Sequence, residues 1–180
     1  SIDRFGDMAE NGNSTNPEHL LLENACASPP FTRFELVWIL FFLTASSIWC
    51  ITASPRLSAT FDEPVYVEKG LLCWQTGSYK PLMRLGTMPL SIDVQTAPLA
   101  IAERWTGQPF QFPADFQRLL PVARAGNLLF WWILLTYGFL VGRCLAGPWG
   151  GRLVLALLSV EPTLLAHASL ATTDISICAF

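Results

Sequence analysis

Two long segments without a charged residue constrain this chain more than any other feature of its sequence. They are LVWILFFLTASSIWCITA at residues 36–53 and AGNLLFWWILLTYGFLVG at residues 125–142. An α-helix rises about 1.5 Å per residue, so about 20 apolar residues cross the hydrocarbon core of a bilayer. Two such segments in one chain predict an integral membrane protein rather than a soluble domain with a buried core helix.

A third apolar segment and the beginning of a fourth follow the second one. Residues 151–170, GRLVLALLSVEPTLLAHASL, contain Glu161 and Pro162. Proline disrupts helical hydrogen bonding, and a carboxylate at that depth must face protein or water, so we expect this span to bend or end near Pro162. The last residues, DISICAF, are typical of the first turns of a further helix in a longer protein. The predicted spans are therefore about 35–54, 123–143, 150–168 and a truncated one at 174–180.

The short loop between the second and third spans predicts the orientation. This loop, RCLAGPWGGR, holds Arg143 and Arg152 and no acid, and positive charge in short loops marks the cytoplasmic side. Residues 1–33 then form a cytoplasmic tail, and residues 55–122 form an external loop. The tail is polar and acidic, so we predict that it is mobile. A net charge of −3 without a basic run gives no reason to expect nucleic acid as a partner.

Two short amphipathic helices are predicted within the external loop. Residues 64–76 carry apolar side chains along one face and are followed by Gly77, which favours a helix end. Residues 97–105 show the same pattern and are followed by Gly107. Short amphipathic helices of this kind lie in the membrane interface.

Five ionisable side chains from separate segments are predicted to meet at the external face of the membrane. Asp62 and Glu63 precede the first interfacial helix, Arg124 opens the second span, and His167 and Asp174 lie between the third and fourth. Each has an ordinary structural role when taken alone, as a helix cap, an interface anchor or a hydrogen-bonded core residue. Gathered at one lipid boundary, they indicate a functional site. A base, a cationic phosphate clamp and further carboxylates favour group transfer from a lipid-linked phosphate to a hydroxyl.

Three stretches, in order along the chain, resemble motifs of one enzyme family. TFDEPVYVEKGLLCWQTGSY is similar to an acidic first external loop, RAGN to an R-x-x-N at the start of the second span, and EPTLLAHASLATTD to a P-x-LLAH-x-x-L-x-TTD motif. Residues 34–180 therefore resemble the N-terminal part of the GT-C type membrane glycosyltransferases, those related to the dolichyl-phosphate-mannose protein mannosyltransferases and the bacterial aminoarabinose transferases. Where that family has an H-P-P-L box, this chain reads RLGTMPLSIDVQTAPL.

The resemblance implies an all-α, multi-span membrane bundle with amphipathic interfacial helices in the first external loop. It implies a multi-pass protein of a bacterial inner membrane, with its N-terminus in the cytoplasm. The implied reaction is an inverting transfer of a sugar from a polyprenyl-phosphate donor to a hydroxyl on a protein, lipid or glycan acceptor. Membrane lipid, the lipid-linked sugar and the acceptor are thus the implied partners.

The resemblance also implies roles for particular side chains. Asp62 matches the general base that takes the acceptor's proton, and Glu63 matches the carboxylate that orients the acceptor or the base. Related enzymes differ in whether they use a divalent metal, and the sequence assigns no metal ligand here. The remaining implied residues are Arg124 and Asn127, which bind the donor phosphate, and His167 and Asp174, which line the cavity.

Two other functions are compatible with the same residues. Without the His-Pro-Pro box, the chain could bind a polyprenyl-phosphate lipid without catalysis, or serve as an accessory subunit of a membrane complex. Alternatively, Glu161 and Asp174 could be midplane ion sites of a transporter, because transporter helices are often discontinuous near such sites.

Overall fold

The computed structural model describes residues 30–180, and every regular element in this range is helical. The predicted all-α class is therefore confirmed for the described residues. The predicted tail, residues 1–33, lies outside them except at its C-terminal end. In chain order the elements are α1 (Arg33–Ala53), a 3-10 turn (Ser54–Arg56), α2 (Glu63–Thr76), α3 (Lys80–Arg84), α4 (Pro89–Thr106), α5 (Phe116–Gly126), α6 (Leu128–Val160), α7 (Pro162–Ala168) and α8 (Asp174–Ala179).

Among residues 30–180, two helical stretches are long and apolar enough to cross a membrane. They are Arg33–Arg56, with a mean hydropathy of 2.0, and Phe116–Val160, with a mean hydropathy of 1.7. Only 17% of the apolar window in the first stretch is buried inside the protein. Most apolar side chains of α1 therefore lie on the surface, which a soluble fold would have to cover with other protein.

The helix α6 contains a sharp turn that divides it into two arms. Ala146 (φ −132°, ψ 21°) and Gly147 (φ 68°, ψ −167°) leave the helical conformation. The positive φ at Gly147 costs little because glycine has no Cβ. The turn makes residues 128–145 and 148–160 the two arms of a helical hairpin, and it lies in the loop that the sequence places between the second and third spans.

Glycines allow the two arms of the hairpin to approach closely. A Cβ on Gly142 would lie 2.7 Å from the Val154 side chain and 2.9 Å from the Gly150 carbonyl oxygen. A Cβ on Gly151 would lie 2.8 Å from the Phe139 carbonyl oxygen. In lipid, the hydrophobic effect does not drive helices to associate, so van der Waals packing must stabilise the contact. Small residues at such a crossing allow this packing because they let the two backbones approach closely.

The return arm of the hairpin ends at Val160. Glu161 has extended backbone angles (φ −66°, ψ 119°), and its side chain accepts a hydrogen bond from the Leu164 N–H as the cap of α7. The structure therefore places a break at the Glu161–Pro162 step of the third predicted span. The chain then passes through the short α7 and a turn before α8 begins at Asp174.

The first long helix packs against the outgoing arm of the hairpin. Two indole N–H groups of that arm donate across the contact, from Trp131 to the Ser46 hydroxyl at 2.9 Å and from Trp132 to the Ser47 hydroxyl at 2.8 Å. Trp131 is fully buried in a core cluster formed by α1, α6, α7 and α8. These paired polar groups set the register between two otherwise apolar helices.

The predicted external loop forms a layer of four helices. α2 begins and ends close to the predicted bounds, and Gly77 closes it in the left-handed conformation. α4 ends at Thr106 with Gly107 as its C-cap, close to the predicted end, but it begins at Pro89, well before the predicted residue 97. Pro98 lies inside α4, whereas proline ordinarily favours the first turn of a helix, which is why the pattern alone underestimates this element. α2, α4 and α5 share one apolar core cluster.

The structure locates Arg124 more finely than the sequence does. Arg124 lies in the last turn of α5, and α6 begins afterwards at Leu128. α5 is strongly amphipathic and packs against α4 through Gly126, where a Cβ would lie 2.8 Å from the Gln95 carbonyl oxygen. The long uncharged run of sequence hides this junction, because nothing in it marks a change of helix.

The close crossing of α4 and α5 can be tested by enlarging Gly126. We expect Gly126→Val to lower the free energy of unfolding by about 1–3 kcal/mol, because the added methyl groups meet rigid backbone atoms of α4. The midpoint of thermal unfolding in detergent micelles measures this loss. Ala125→Val is the matched control, since Ala125 is exposed on the same helix. Equal midpoints for the two variants would contradict this close approach of the two helices.

Candidate functional site

A buried arginine lies at the centre of the candidate site. The Arg124 side chain is 1% exposed, and its Nε and Nη2 donate to the two carboxylate oxygens of Glu63, each at 2.8 Å. Nη1 donates to the carbonyl oxygens of Ser54 and Leu57, and Nη2 also donates to that of Ser58 at 3.0 Å. A guanidinium has five N–H groups. All five of them are therefore used within the protein.

The carboxylate of Glu63 is completely buried and has four donors around it. Besides the two from Arg124, Oε1 accepts from the backbone N–H of Ala171 at 2.7 Å and Oε2 from that of Thr60 at 2.9 Å. Burial by itself raises the pKa of Glu63, but the hydrogen bonds from Arg124, Ala171 and Thr60 together lower it below its usual value. Glu63 is thus ionised at neutral pH and cannot act as an exposed proton acceptor.

The turn between α7 and α8 is held at three successive residues. Asn127 donates from Nδ2 to the Leu170 carbonyl oxygen at 2.8 Å, and Gln95 donates from Nε2 to the Thr172 carbonyl oxygen at 2.6 Å. Between them lies Ala171, whose N–H donates to the buried carboxylate described above. Asn127 and Gln95 are also hydrogen-bonded to each other, at 3.1 Å. Side chains from three separate helical regions therefore fix this turn and the residues that flank it.

The flanking residues form a polar pair at the surface. His167 Nδ1 lies 3.0 Å from Asp174 Oδ2, and the two side chains are 43% and 52% exposed. The Thr172 hydroxyl donates to the same Asp174 oxygen at 3.0 Å. A histidine held through Nδ1 presents its other ring nitrogen for a further hydrogen bond.

Tyr66 lies within electrostatic range of both Asp62 and Asp174. Asp62 is exposed at the start of α2, and its side chain makes no capping hydrogen bond. Burial raises the pKa of the Tyr66 hydroxyl, and the negative charges of Asp62 and Asp174 raise it further, while a hydrogen bond with Thr173 opposes these effects. Two carboxylates that are far apart in the sequence therefore act on one phenol.

The structure divides the predicted site residues into two groups. Asp62, His167 and Asp174 lie at an exposed rim, as the sequence suggests for groups that meet a substrate. The other three, Glu63, Arg124 and Asn127, lie in the buried network beneath it. All guanidinium donors of Arg124 bond to groups within the protein, whereas the predicted grip on a donor phosphate requires free donors. Asn127 is fully buried as well.

Tyr66 is a member of the rim that the sequence reasoning missed. A signal was present, because Tyr66 follows Asp62 by four residues and such pairs share one face of a helix. Aromatic residues are so frequent in this chain that one tyrosine in an amphipathic helix does not stand out. Only the approach of Asp174 from a distant segment distinguishes it.

The pair formed by His167 and Asp174 at the rim is not part of a larger group of metal-ligand side chains in the described residues. Among residues 30–180, no three side chains of histidine, cysteine, aspartate or glutamate are arranged to hold a metal ion. Glu161, the other carboxylate considered for an ion site, accepts from the Leu164 N–H at 2.6 Å. The arrangement at the rim instead offers an exposed carboxylate able to accept a proton, with a histidine and a phenol able to hydrogen-bond to an oxygen-rich ligand.

Comparison of this chain with protein-family models, with curated proteins and with solved structures finds no match.

Removing the charge of Glu63 tests the buried network. We expect Glu63→Gln to lower the free energy of unfolding by about 3–5 kcal/mol, because Arg124 would be left buried without a counter-charge. Thermal unfolding in detergent measures this. The control is Glu68→Gln on the same helix, whose exposed side chain pairs with Lys69 at 2.8 Å and contributes at most about 1 kcal/mol. Equally small losses for both variants would contradict the network.

The lowered pKa of Glu63 also predicts how stability depends on pH. A carboxyl whose pKa is lower in the folded state stabilises the fold above its unfolded value of about 4.3, and this contribution is lost as pH falls through the folded pKa. The difference in unfolding free energy between the wild type and Glu63→Gln should therefore stay constant from pH 7 to about pH 5 and shrink below that. Chemical unfolding at a series of pH values measures it, and a difference that widens in acid would refute the assignment.

Proposed function

We propose that this chain is the N-terminal part of a membrane glycosyltransferase that moves a sugar, with inversion, from a polyprenyl phosphate to an acceptor hydroxyl. The observation that carries the proposal is the contact between two distant motifs, in which the Ala171 N–H of one donates to the Glu63 carboxylate of the other. Asp62 comes from the D-E-P stretch, and Asp174 and His167 come from the stretch ending in TTD. Both stretches also resemble motifs of the GT-C type enzymes.

The positions of the charged groups along α1 support a transmembrane arrangement. The C-terminal end of α1 lies beside the candidate site, since Arg124 donates to the Ser54 carbonyl oxygen. The N-terminal end lies beside the hairpin turn, since Glu35 forms an ion pair with Arg143. The 21 residues of α1 span about 30 Å, which is the thickness of the hydrocarbon core. A bilayer around α1 would thus separate the rim from the basic turn.

The basic turn favours the cytoplasmic side, which leaves the rim on the external face. In this arrangement α1, the outgoing arm, and the return arm continued by α7 cross the membrane. α8 enters it, and the layer from α2 to α5 lies at the external interface. The proposal therefore includes a multi-pass protein of a bacterial inner membrane with a cytoplasmic N-terminus.

In the proposed reaction the Asp62 carboxylate accepts the proton of the acceptor hydroxyl. The acceptor oxygen forms a bond to the anomeric carbon from the face opposite the phosphate. The bond between that carbon and the phosphate oxygen breaks, and its electron pair leaves with the polyprenyl phosphate. The phosphate is a stable anion, so the leaving group requires no strong acid. His167, through the nitrogen that Asp174 does not contact, would hydrogen-bond to the sugar or phosphate.

The buried residues would act by holding the residues of the rim in position. Glu63 adjoins Asp62 in the chain, and its bonds to Arg124 and Ala171 hold the start of α2 against the turn that precedes Asp174. Holding two reacting groups in a fixed geometry removes much of the entropic cost of bringing them together. Glu63, Arg124 and Asn127 are therefore positioning residues in this proposal.

The occupied donors of Arg124 favour a second candidate function, the binding of a polyprenyl-phosphate lipid without transfer. A phosphate clamp with free donors would be expected in an enzyme that stabilises charge on its leaving group. Such a protein would hold the same lipid at the rim and would work with a catalytic partner. Binding and transfer assays on the same preparation separate the two functions.

Asp62→Asn tests the proposed base. Membranes containing the full-length protein are incubated with undecaprenyl phosphates that carry labelled hexoses or pentoses, and released undecaprenyl phosphate is measured by mass spectrometry. We expect Asp62→Asn to reduce release by about 100-fold or more, the usual contribution of a general base, with lipid binding changed less than about twofold.

Glu68→Gln serves as the control for that experiment, since Glu68 is an exposed carboxylate on the same helix. It should retain full transfer. Transfer by Asp62→Asn within a few-fold of wild type would remove Asp62 as the base. A wild-type protein that binds undecaprenyl phosphate but releases none from any donor would support the second function instead.

A further inference from the structure

A second charged cluster lies at the end of α1 opposite the rim. Its centre is the completely buried carboxylate of Glu35, which accepts from the Thr32 N–H at 2.9 Å and the Thr32 hydroxyl at 3.1 Å. Glu35 also forms an ion pair with Arg143, and Nη2 of Arg152 lies 4.0 Å from the Glu35 Oε1. The glycosyl-transfer chemistry proposed above does not use any of these residues.

Arg152 is the less completely engaged arginine of this cluster. Its guanidinium carbon lies 4.8 Å from the Phe34 ring centre and 5.0 Å from that of Trp149. Its Nε is buried and has no hydrogen-bond partner, and the carboxylate 4.0 Å away already has several donors. A buried N–H that lacks an acceptor costs free energy unless a ligand or water supplies one. The guanidinium geometry best matches the oxygens of a carboxylate or phosphate.

The surroundings of Arg152 are those of a membrane interface. Trp149 and Leu145 are more than 70% exposed on the hairpin turn, and Phe34 is 54% exposed on α1. Exposed aromatic residues at helix ends lie at the level of the lipid headgroups, and arginine there reaches the phosphates. The Arg152 side chain is 15% exposed, so an anion can reach it from this level.

We propose that Arg152 binds the phosphate of an anionic phospholipid between the Phe34 and Trp149 rings. The two rings hold the guanidinium plane, and the apolar surface of α1 and the hairpin turn receives the acyl chains. The positive charge of Arg152 favours a lipid with net negative charge over a zwitterionic one. The site is on the opposite side of the molecule from the rim, so its failure and that of the proposed sugar transfer would be separate results.

Lipid binding to the purified full-length chain tests this site. The protein in a neutral detergent is titrated with phosphatidylglycerol or phosphatidylcholine, and bound lipids are counted by native mass spectrometry. We expect Arg152→Gln to weaken the first phosphatidylglycerol by about tenfold, because it removes charge-assisted hydrogen bonds from the guanidinium to the phosphate. Arg152→Lys should be intermediate, because it keeps the charge but loses the planar fork.

Arg33→Gln is the matched control, since Arg33 is an exposed arginine at the same end of α1. It should change the affinity by less than about twofold, because an exposed charge contributes little. Equal losses for Arg33→Gln and Arg152→Gln would overturn the proposal in favour of general surface attraction. Equal affinities of the wild type for the two lipids would also overturn it.

Two further measurements identify the ligand and provide a second variant. Millimolar inorganic phosphate should not displace phosphatidylglycerol, and displacement would identify a free phosphate rather than a lipid as the ligand. If Arg152→Gln does not fold, Trp149→Leu provides the test, because it removes one ring from the guanidinium while keeping the surface apolar. It should also weaken phosphatidylglycerol binding, and an unchanged affinity would overturn the proposal.

Discussion

The buried ion pair of Glu63 and Arg124 is the interaction on which the rest of the structure depends. Removing two charges from water costs several kcal/mol for each, and the pair is favourable only because every remaining hydrogen-bonding group is filled. The acceptors and donors that fill them come from the end of α1, the following turn and the turn before α8. The hydrogen bonds that this ion pair requires therefore bring together segments more than a hundred residues apart.

The same constraint separates the two neighbouring acids of the D-E-P stretch. Successive residues at a helix start point about 100° apart, so when Glu63 faces the core, Asp62 faces outward. Glu63 loses any direct role in proton transfer and gains one in fixing geometry. Asp62 remains exposed, and its charge acts together with that of Asp174 on the Tyr66 hydroxyl.

Both ends of α1 are anchored by a buried carboxylate and an arginine, Glu35 with Arg143 at one end and Glu63 with Arg124 at the other. Between these ends most contacts are apolar, and the polar ones include the indole bonds to Ser46 and Ser47 and the bond from the Trp38 indole to the Arg152 carbonyl oxygen. Apolar contacts between helices have little directional preference, and lipid competes with them. The polar ends and the glycine contacts of the hairpin therefore set the register of the bundle.

Much of this arrangement could be read from the sequence. Hydropathy alone predicted the two long apolar stretches, and Gly77 and Gly107 marked where α2 and α4 end, because these signals are local. What only the tertiary structure decided is which polar groups face inward. The sequence pattern around an arginine at the edge of an apolar segment is the same whether that arginine binds a phosphate or a buried glutamate. Its partner at Glu63 is 61 residues away, and such pairing depends on long-range packing that no local pattern encodes.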